Sequence, residues 1–471
     1  MKRVWIMTFL AGILLLSGCS KQTPMKEGTA STAAEATAAE TTAKVKETEE
    51  TTIEPLNLPT QESETPALPR IGSNRILLAT DLHYLAQELT DGGDAFHHMV
   101  EHGDGKAVTY VCEIVDAFLA EVVKEKPDIL VLSGDLSLEG EKLSHRELAA
   151  KLEAVEQAGI TVVVIPGNHD INNVGASIYR GSERYPAEKT SPEEFQEIYQ
   201  DFGYVEALSC DPNSLSYLYP LDEKNYLLML DSCQYDDGAV RVGGVIRTET
   251  YEWMEPLLED AWCEGINVIP VAHHNLLEES QVYLENCTIE HAEDLEEKLS
   301  NWGNFLFLSG HLHVQHFKSS PDYEMDEIVT ASLSTAPCLY GVLDYRDDGS
   351  FEYHTQRVRV AAWAAEHAVN DEKLLNFDTY STELLKKVFY NQAYDGLKNH
   401  EISLADKARM SDLYAELHAY SVEGRAIEIK EKILSDPSYR MWQERDGVSI
   451  NYLYMEEILR DAIQDYNSFR K

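Results

Sequence analysis

Basic residues are scarce in this 471-residue chain: 39 Lys and Arg stand against 82 Asp and Glu, a formal net charge of −43. Nucleic-acid polymers and anionic membrane surfaces are held through clustered Lys and Arg, so binding to either is not expected. A phosphorylated substrate would need a positive centre that basic residues do not supply, which points to metal. Other absences narrow the field further. No GxxxxGK[ST], HExxH or GxSxG string occurs, which removes P-loop ATPases, one class of zinc protease and the usual serine hydrolases. No CxxC pair occurs, so neither a zinc ribbon nor a thioredoxin-like centre is expected. Cys112 and Cys263 fall in helix-like apolar patterns and read as buried free thiols, and disulfide pairing stays open. No repeat of 20–50 residues is present.

What is present begins with an address. Lys2 and Arg3 precede an apolar run over residues 4–16, shorter than the roughly 20 residues of a membrane-spanning helix. Leu16-Ser17-Gly18-Cys19 follows. The order is that of a signal peptide (residues 1–18), and its last four residues look like a bacterial lipobox. Cys19 would then carry the lipid of an exported, membrane-attached lipoprotein. Residues 20–70 have no aromatic side chain and are rich in Thr, Ala and Glu. Such a segment cannot bury enough apolar area to offset its ordering entropy. Residues 19–70 therefore read as a solvated tether, spanning roughly 40 Å as a flexible coil.

Folded sequence is expected over residues 71–375, with a second, small all-helical domain over 376–471. Strand candidates at 75–80, 128–133 and 160–166 alternate with amphipathic stretches at 106–126 and 142–157, the βαβ pattern of a layered α/β domain. Ser191-Pro192-Glu193-Glu194 reads as N-cap, Pro at N1 and Glu at N3 of another helix. Further strand candidates lie at 226–230, 267–271, 305–308, 327–331 and 351–359, with helices at 248–263 and 289–300. Beyond residue 380 only helical periods remain, as in Leu385, Val388 and Phe389, then Leu413 and Leu417.

Five short motifs stand just beyond predicted strands: Asp81-Leu82-His83, Gly134-Asp135, Gly167-Asn168-His169-Asp170, His273-His274, and Gly310-His311-Leu312-His313. In α/β sheets, ligands bind at the carboxyl ends of strands, so topology alone gathers these donors on one rim. Residues two apart on extended backbone share a side, which lets Asp81 with His83, and His311 with His313, reach one cleft. Carboxylate, imidazole and amide without thiolate suit divalent Mn, Fe or Zn, and more than four donors imply two ions. Taken singly, each motif has a bland explanation as a turn or a buried polar pair; the ordered set does not.

In this order the motifs resemble the calcineurin-like metallophosphoesterases over about residues 75–359. The resemblance implies a four-layer α/β/β/α sandwich and two metal sites. Asp81, His83, Asp135 and His313 would hold one ion; Asp135, Asn168, His273 and His311 would hold the other. It further implies a metal-bridging hydroxide as the attacking group, His169 as the proton donor to the leaving group, and Asp170 as the residue that orients His169. Glu139 and Leu138 stand where related protein phosphatases carry an Arg and purple acid phosphatases a Tyr. The G-D-L-S-x-x-G form is most similar to exported bacterial cyclic-nucleotide phosphodiesterases, which also carry a C-terminal helical domain. Hydrolysis of small phosphate esters, cyclic nucleotides first, is the expectation. The rivals are a nucleotidase or phosphomonoesterase on the same site and a non-catalytic surface binding lipoprotein. Tyr84, Asn172 and His97 are candidate substrate contacts, and His316 reads as a surface residue.

Overall fold

A computed structural model describes residues 72–235, 241–282, 286–447 and 449–471. The segments expected to be a signal peptide and a tether, with Cys19, lie outside the described residues. Six strands form one sheet, in the order Ser468–Arg470, Phe351–Arg357, Leu339–Arg346, Ser73–Ala79, Ile129–Ser133 and Thr161–Ile165. Seven form a second, in the order His316–Ser319, Asp326–Val329, Leu306–Ser309, Asn267–Ala272, Asn225–Leu230, Tyr217–Pro220 and Ser209–Cys210.

The sequence of Asn225–Leu230 shows why the layers form. Side chains alternate across a strand, so Leu227 and Met229 enter the core shared with Ile76, Leu78 and Leu130 of the first sheet. Leu228 and Leu230 face the other way, onto Met254 and Leu258 of helix Thr248–Glu264 and Leu295 and Leu299 of helix Ala292–Asn301. Covered on both faces, such strands read as unbroken apolar runs. On the first sheet, helices Val111–Glu125 and Lys142–Gln157 bring Ile114, Phe118, Leu148 and Leu152 into the same core. The layering is α/β/β/α. The capping box at Ser191 is also present: its hydroxyl accepts from the Glu194 amide at 3.2 Å.

Strands Ser73–Ala79, Ile129–Ser133 and Thr161–Ile165 run parallel, as do Asn225–Leu230, Asn267–Ala272 and Leu306–Ser309. Parallel neighbours end at the same edge of their sheet, and all five motifs follow the carboxyl ends of these strands.

Helices from Val360 to Asp461 follow, with a core of their own around Trp442, Tyr414, Leu417 and Met455. The chain then returns to the first sheet, where Ser468–Arg470 pairs with Phe351–Arg357. Three residues are too few to show a period-two pattern, and so this strand was not visible in the sequence. Between the first motif and the helix Val111–Glu125 lies a further helix, Asp94–Glu101. Cys112, Cys210, Cys233, Cys263 and Cys338 are free thiols, and Cys263 is exposed on its helix rather than buried. Among the described residues, no helix is long and apolar enough to cross a membrane.

The helical region docks on the segment that follows His313. The Gln315 amide donates to the Val422 carbonyl at 3.0 Å, and the Glu457 carboxylate accepts from the Gln281 amide and the Ser280 hydroxyl. His316 is buried, not superficial, and pairs with Glu279 at 2.6 Å and Asp461 at 2.7 Å. Burial resists its charge, but Glu279 and Asp461 override that and raise its pKa from 6.5 to about 9. A raised folded pKa stabilises fully below the unfolded value, and the contribution fades as pH climbs through the folded one. The melting-temperature gap between the parent and His316→Gln should therefore be widest below pH 6.5 and shrink as pH rises through about 9. A gap constant from neutral to alkaline pH contradicts this.

Candidate metal centre

Asp81, His83, Asp135 and His313 offer ligand atoms that all lie within 4.8 Å of one another. They meet through backbone that is not extended: φ is +54° at Asp81, +46° at His83, +49° at Asp135, +69° at His311 and +57° at His313. Left-handed backbone is uncommon for residues with a side chain and gathers at functional sites. The pairs Asp81/His83 and His311/His313 thus face one cleft for a different reason from the strand alternation inferred from sequence. Gly134, with φ of +98°, leaves room for His273; a Cβ there would sit 2.7 Å from the ring Nδ1.

Asp135 is the hub. Its Oδ1 accepts from the His169 amide at 2.8 Å. Its Oδ2 lies 3.4 Å from His273 Nε2, 3.7 Å from His83 Nε2 and 3.9 Å from His169 Nε2. Burial pushes its pKa up, yet the neighbouring imidazoles, His273 foremost, hold it well below the usual carboxylate range. Asp81 is buried too, and its Oδ2 accepts from Thr80 at 2.8 Å and from the His311 amide at 3.0 Å.

The donors fit cations. Asp81 Oδ1 is buried, faces His313 Nε2 at 3.1 Å and accepts no hydrogen bond. His83 Nε2 and His313 Nε2 confront each other at 3.1 Å. Outward ring nitrogens set the tautomers of the next group. His273 donates through Nδ1 to the Ser133 carbonyl at 3.0 Å, which turns Nε2 toward Asn168 Oδ1 at 3.1 Å. His311 donates through Nε2 to the Asn286 carbonyl at 2.8 Å, which leaves Nδ1 bare, and its ring centroid lies 5.1 Å from that of His273. His274 has both nitrogens engaged, with Ser232 and the Val242 carbonyl, and stands outside the group.

Residues 74–315 match the sequence profile of the calcineurin-like phosphoesterases. The chain belongs to that family. It is a metal-dependent phosphoester hydrolase, and its site takes divalent metal. Residues 359–465 match a second profile, the C-terminal domain of cyclic nucleotide phosphodiesterase. No curated protein sequence matches the chain. Among solved structures, a dimetal phosphatase from Danio rerio is 11% identical, covers 60% of this chain and 96% of its own, and superposes with a TM-score of 0.44. A putative 5′-nucleotidase from Staphylococcus aureus is 11% identical, with 67% and 59% covered and a TM-score of 0.36. The phosphopantetheinyl hydrolase of Mycobacterium tuberculosis is 12% identical, with 56% and 91% covered and a TM-score of 0.30.

In this phosphoesterase two sequence assignments need correction, those of Asp170 and Tyr84. Asp170 does not orient His169. Its carboxylate accepts from the Leu136, Ser137 and Gly167 amides and the Ser137 hydroxyl at 2.8–3.0 Å, tying two motif loops together. The His169 ring is held instead by the Leu138 carbonyl, 2.8 Å from Nδ1, with Glu139 at 3.5 Å. Burial opposes charge on His169, but Asp135 and Glu139 raise its pKa to about 10. Tyr84 points into the core, its hydroxyl on Glu147 at 3.1 Å. His97 is exposed on the helix Asp94–Glu101. Asn172 gives its amide to the Tyr235 carbonyl at 3.1 Å.

The sequence also pointed to a centre made without basic residues, and the structure adds one. Lys106 is buried, with Nζ 3.1 Å from Asp104 and 3.5 Å from His83 Nδ1. Burial opposes its charge, but Asp104, Glu139 and Asp135 keep it protonated, above its ordinary pKa. Its only sequence signal is a lysine closing the turn His102-Gly103-Asp104-Gly105.

Removing the Asp170 carboxylate strands buried amides, at about 1–3 kcal/mol for each unpaired group. Asp170→Ala should thus lose about 3 kcal/mol or more in urea unfolding, with Asp170→Asn losing less; a loss under about 1 kcal/mol contradicts the clamp.

Proposed function

We propose that this phosphoesterase is an exported, lipid-anchored phosphodiesterase acting on cyclic nucleotides. The observation that carries the hydrolytic reading is the cluster of buried carboxylates and imidazoles whose ligand atoms all lie within 4.8 Å of one another. Asp81, His83, Asp135 and His313 would hold one divalent ion, and Asp135, Asn168, His273 and His311 the other, with Asp135 common to both. Such ions, when bound, supply positive charge for phosphate oxygens and a water of lowered pKa.

The protein's own groups do the rest. Asp135 and Asp81 fix the donors in place. His169 Nε2 faces the cluster and delivers the proton that the departing alkoxide needs, a role worth about 10²–10⁴ in rate. Its other nitrogen, on the Leu138 carbonyl, fixes the ring orientation. The match of residues 359–465 to the C-terminal domain of cyclic nucleotide phosphodiesterase supports the diester over the monoester. A mononucleotide reading draws only on the resemblance to a putative 5′-nucleotidase, which covers 59% of that protein.

With Mn added, the parent should cleave bis(p-nitrophenyl) phosphate faster than p-nitrophenyl phosphate and lose activity on chelation. His169→Ala should fall by about 10²-fold or more, and Asp135→Asn to background. A strong preference for the monoester would overturn the diesterase assignment. Equal rates in parent and both variants would overturn the enzymatic site.

Anchoring is read from Leu16-Ser17-Gly18-Cys19. In cells, the parent should partition with membranes and Cys19→Ser should appear in the soluble fraction; identical partitioning refutes the lipid anchor.

A further inference from the structure

A single cavity runs from the metal-site residues His311 and His313 to Phe389, His418 and Tyr454 of the helical region. Its far wall is aromatic: the His418 ring centroid lies 5.0 Å from that of Phe389 and 5.3 Å from that of Tyr454. Nothing in the hydrolytic chemistry of the carboxylates and imidazoles at the other end requires such a wall.

Unused polar groups line the same cavity. His418 is 2% exposed, Gln315 1% and Thr335 2%, and His418 Nε2, Gln315 Nε2 and Thr335 Oγ1 have no hydrogen-bond partner. Their chemistry is fixed by what their other atoms do. His418 donates through Nδ1 to the Tyr414 carbonyl at 2.8 Å, so Nε2 can only accept. Gln315 Oε1 accepts from the Tyr353 hydroxyl at 3.2 Å, so its amide NH₂ is left to donate. Buried polar atoms are normally paired, and an unpaired one costs stability until a ligand satisfies it. The cavity therefore offers flat apolar walls, an acceptor and a donor. A planar ring with both N–H and lone-pair positions on its edge has that complement; a lipid tail or an alkyl ester does not.

We infer that the helical region forms a nucleobase pocket, in which the base packs on the aromatic cluster of Phe389, His418 and Tyr454 while His418 Nε2 and the Gln315 side-chain NH₂ read its edge. The inference rests on the diesterase reading for where the phosphate goes, but binding of the base does not depend on turnover. The overlap of this wall with the helical region accounts for why a phosphoester hydrolase carries that region packed beside its metal centre.

The test starts with the unmodified, full-length protein and adenosine, guanosine, cytidine and uridine, each without phosphate. At least one nucleoside should raise the melting temperature and inhibit hydrolysis of methyl p-nitrophenyl phosphate competitively. The second measurement compares kcat/KM for the 2′,3′- and 3′,5′-cyclic phosphates of the nucleoside that binds with kcat/KM for methyl p-nitrophenyl phosphate. In His418→Phe, which keeps the ring and removes the acceptor, the ratio for the better cyclic phosphate should fall about tenfold or more, as when a site built to hydrogen-bond its ligand loses a partner. If no nucleoside binds while the simple diester is cleaved, the pocket is refuted and the diesterase stands. If a nucleoside binds but no diester is cleaved, the diesterase reading fails and the pocket stands. An unchanged ratio in His418→Phe overturns the role given to His418.

Discussion

The structure depends on a crowding of electron-rich atoms. Asp81 Oδ1, Asp135 Oδ2 and the Nε2 atoms of His83 and His313 point into one small space, the two nitrogens only 3.1 Å apart. Carboxylates and lone pairs so placed repel one another, and burial leaves water little room to soften it. Divalent cations convert that repulsion into attraction. The cost also appears in the backbone, where several of these donors sit in left-handed conformations at about 1–3 kcal/mol each. Two sheets with a common core fix the strand ends, so the loops cannot relax into easier shapes.

The second constraint ties that centre to the helical region. His311 and His313 lie four and two residues before Gln315, whose backbone N–H is bonded to the end of helix Leu404–Val422. Gly424 packs on the Gln315 carbonyl so closely that a Cβ would clash, and His316 lies between a carboxylate from each side. The same short segment thus supplies metal-site imidazoles at one end and the docking contacts at the other. Placement of the helices and placement of the donors are one structural problem.

Much of this was legible in the sequence because it follows from local rules. Unbroken apolar runs marked the buried parallel strands, and each motif begins where a run ends, so the convergence of Asp81, Asp135, Asn168, His273 and His311 followed from topology. What could not be read were contacts set by the path of loops. Asp170 adjoins His169 in sequence, yet its carboxylate turns to the amides of the loop around Leu136 and Ser137. Tyr84 follows a motif residue and turns into the core. Lys106 lies 23 residues beyond His83 and returns to its ring because the intervening chain folds back. His316 resembles a surface residue until the carboxylates of Glu279 and Asp461 are in place around it.

The short strand Ser468–Arg470 has a mechanical meaning. Strand Phe351–Arg357 leads into the helices, and the chain comes back from them to pair with that same strand. A module sutured to the sheet on entry and on exit has no single pivot about which to swing. The aromatic wall that the helices give the cavity is therefore tied, at both ends of the helical segment, to the sheet that carries the first three motif loops.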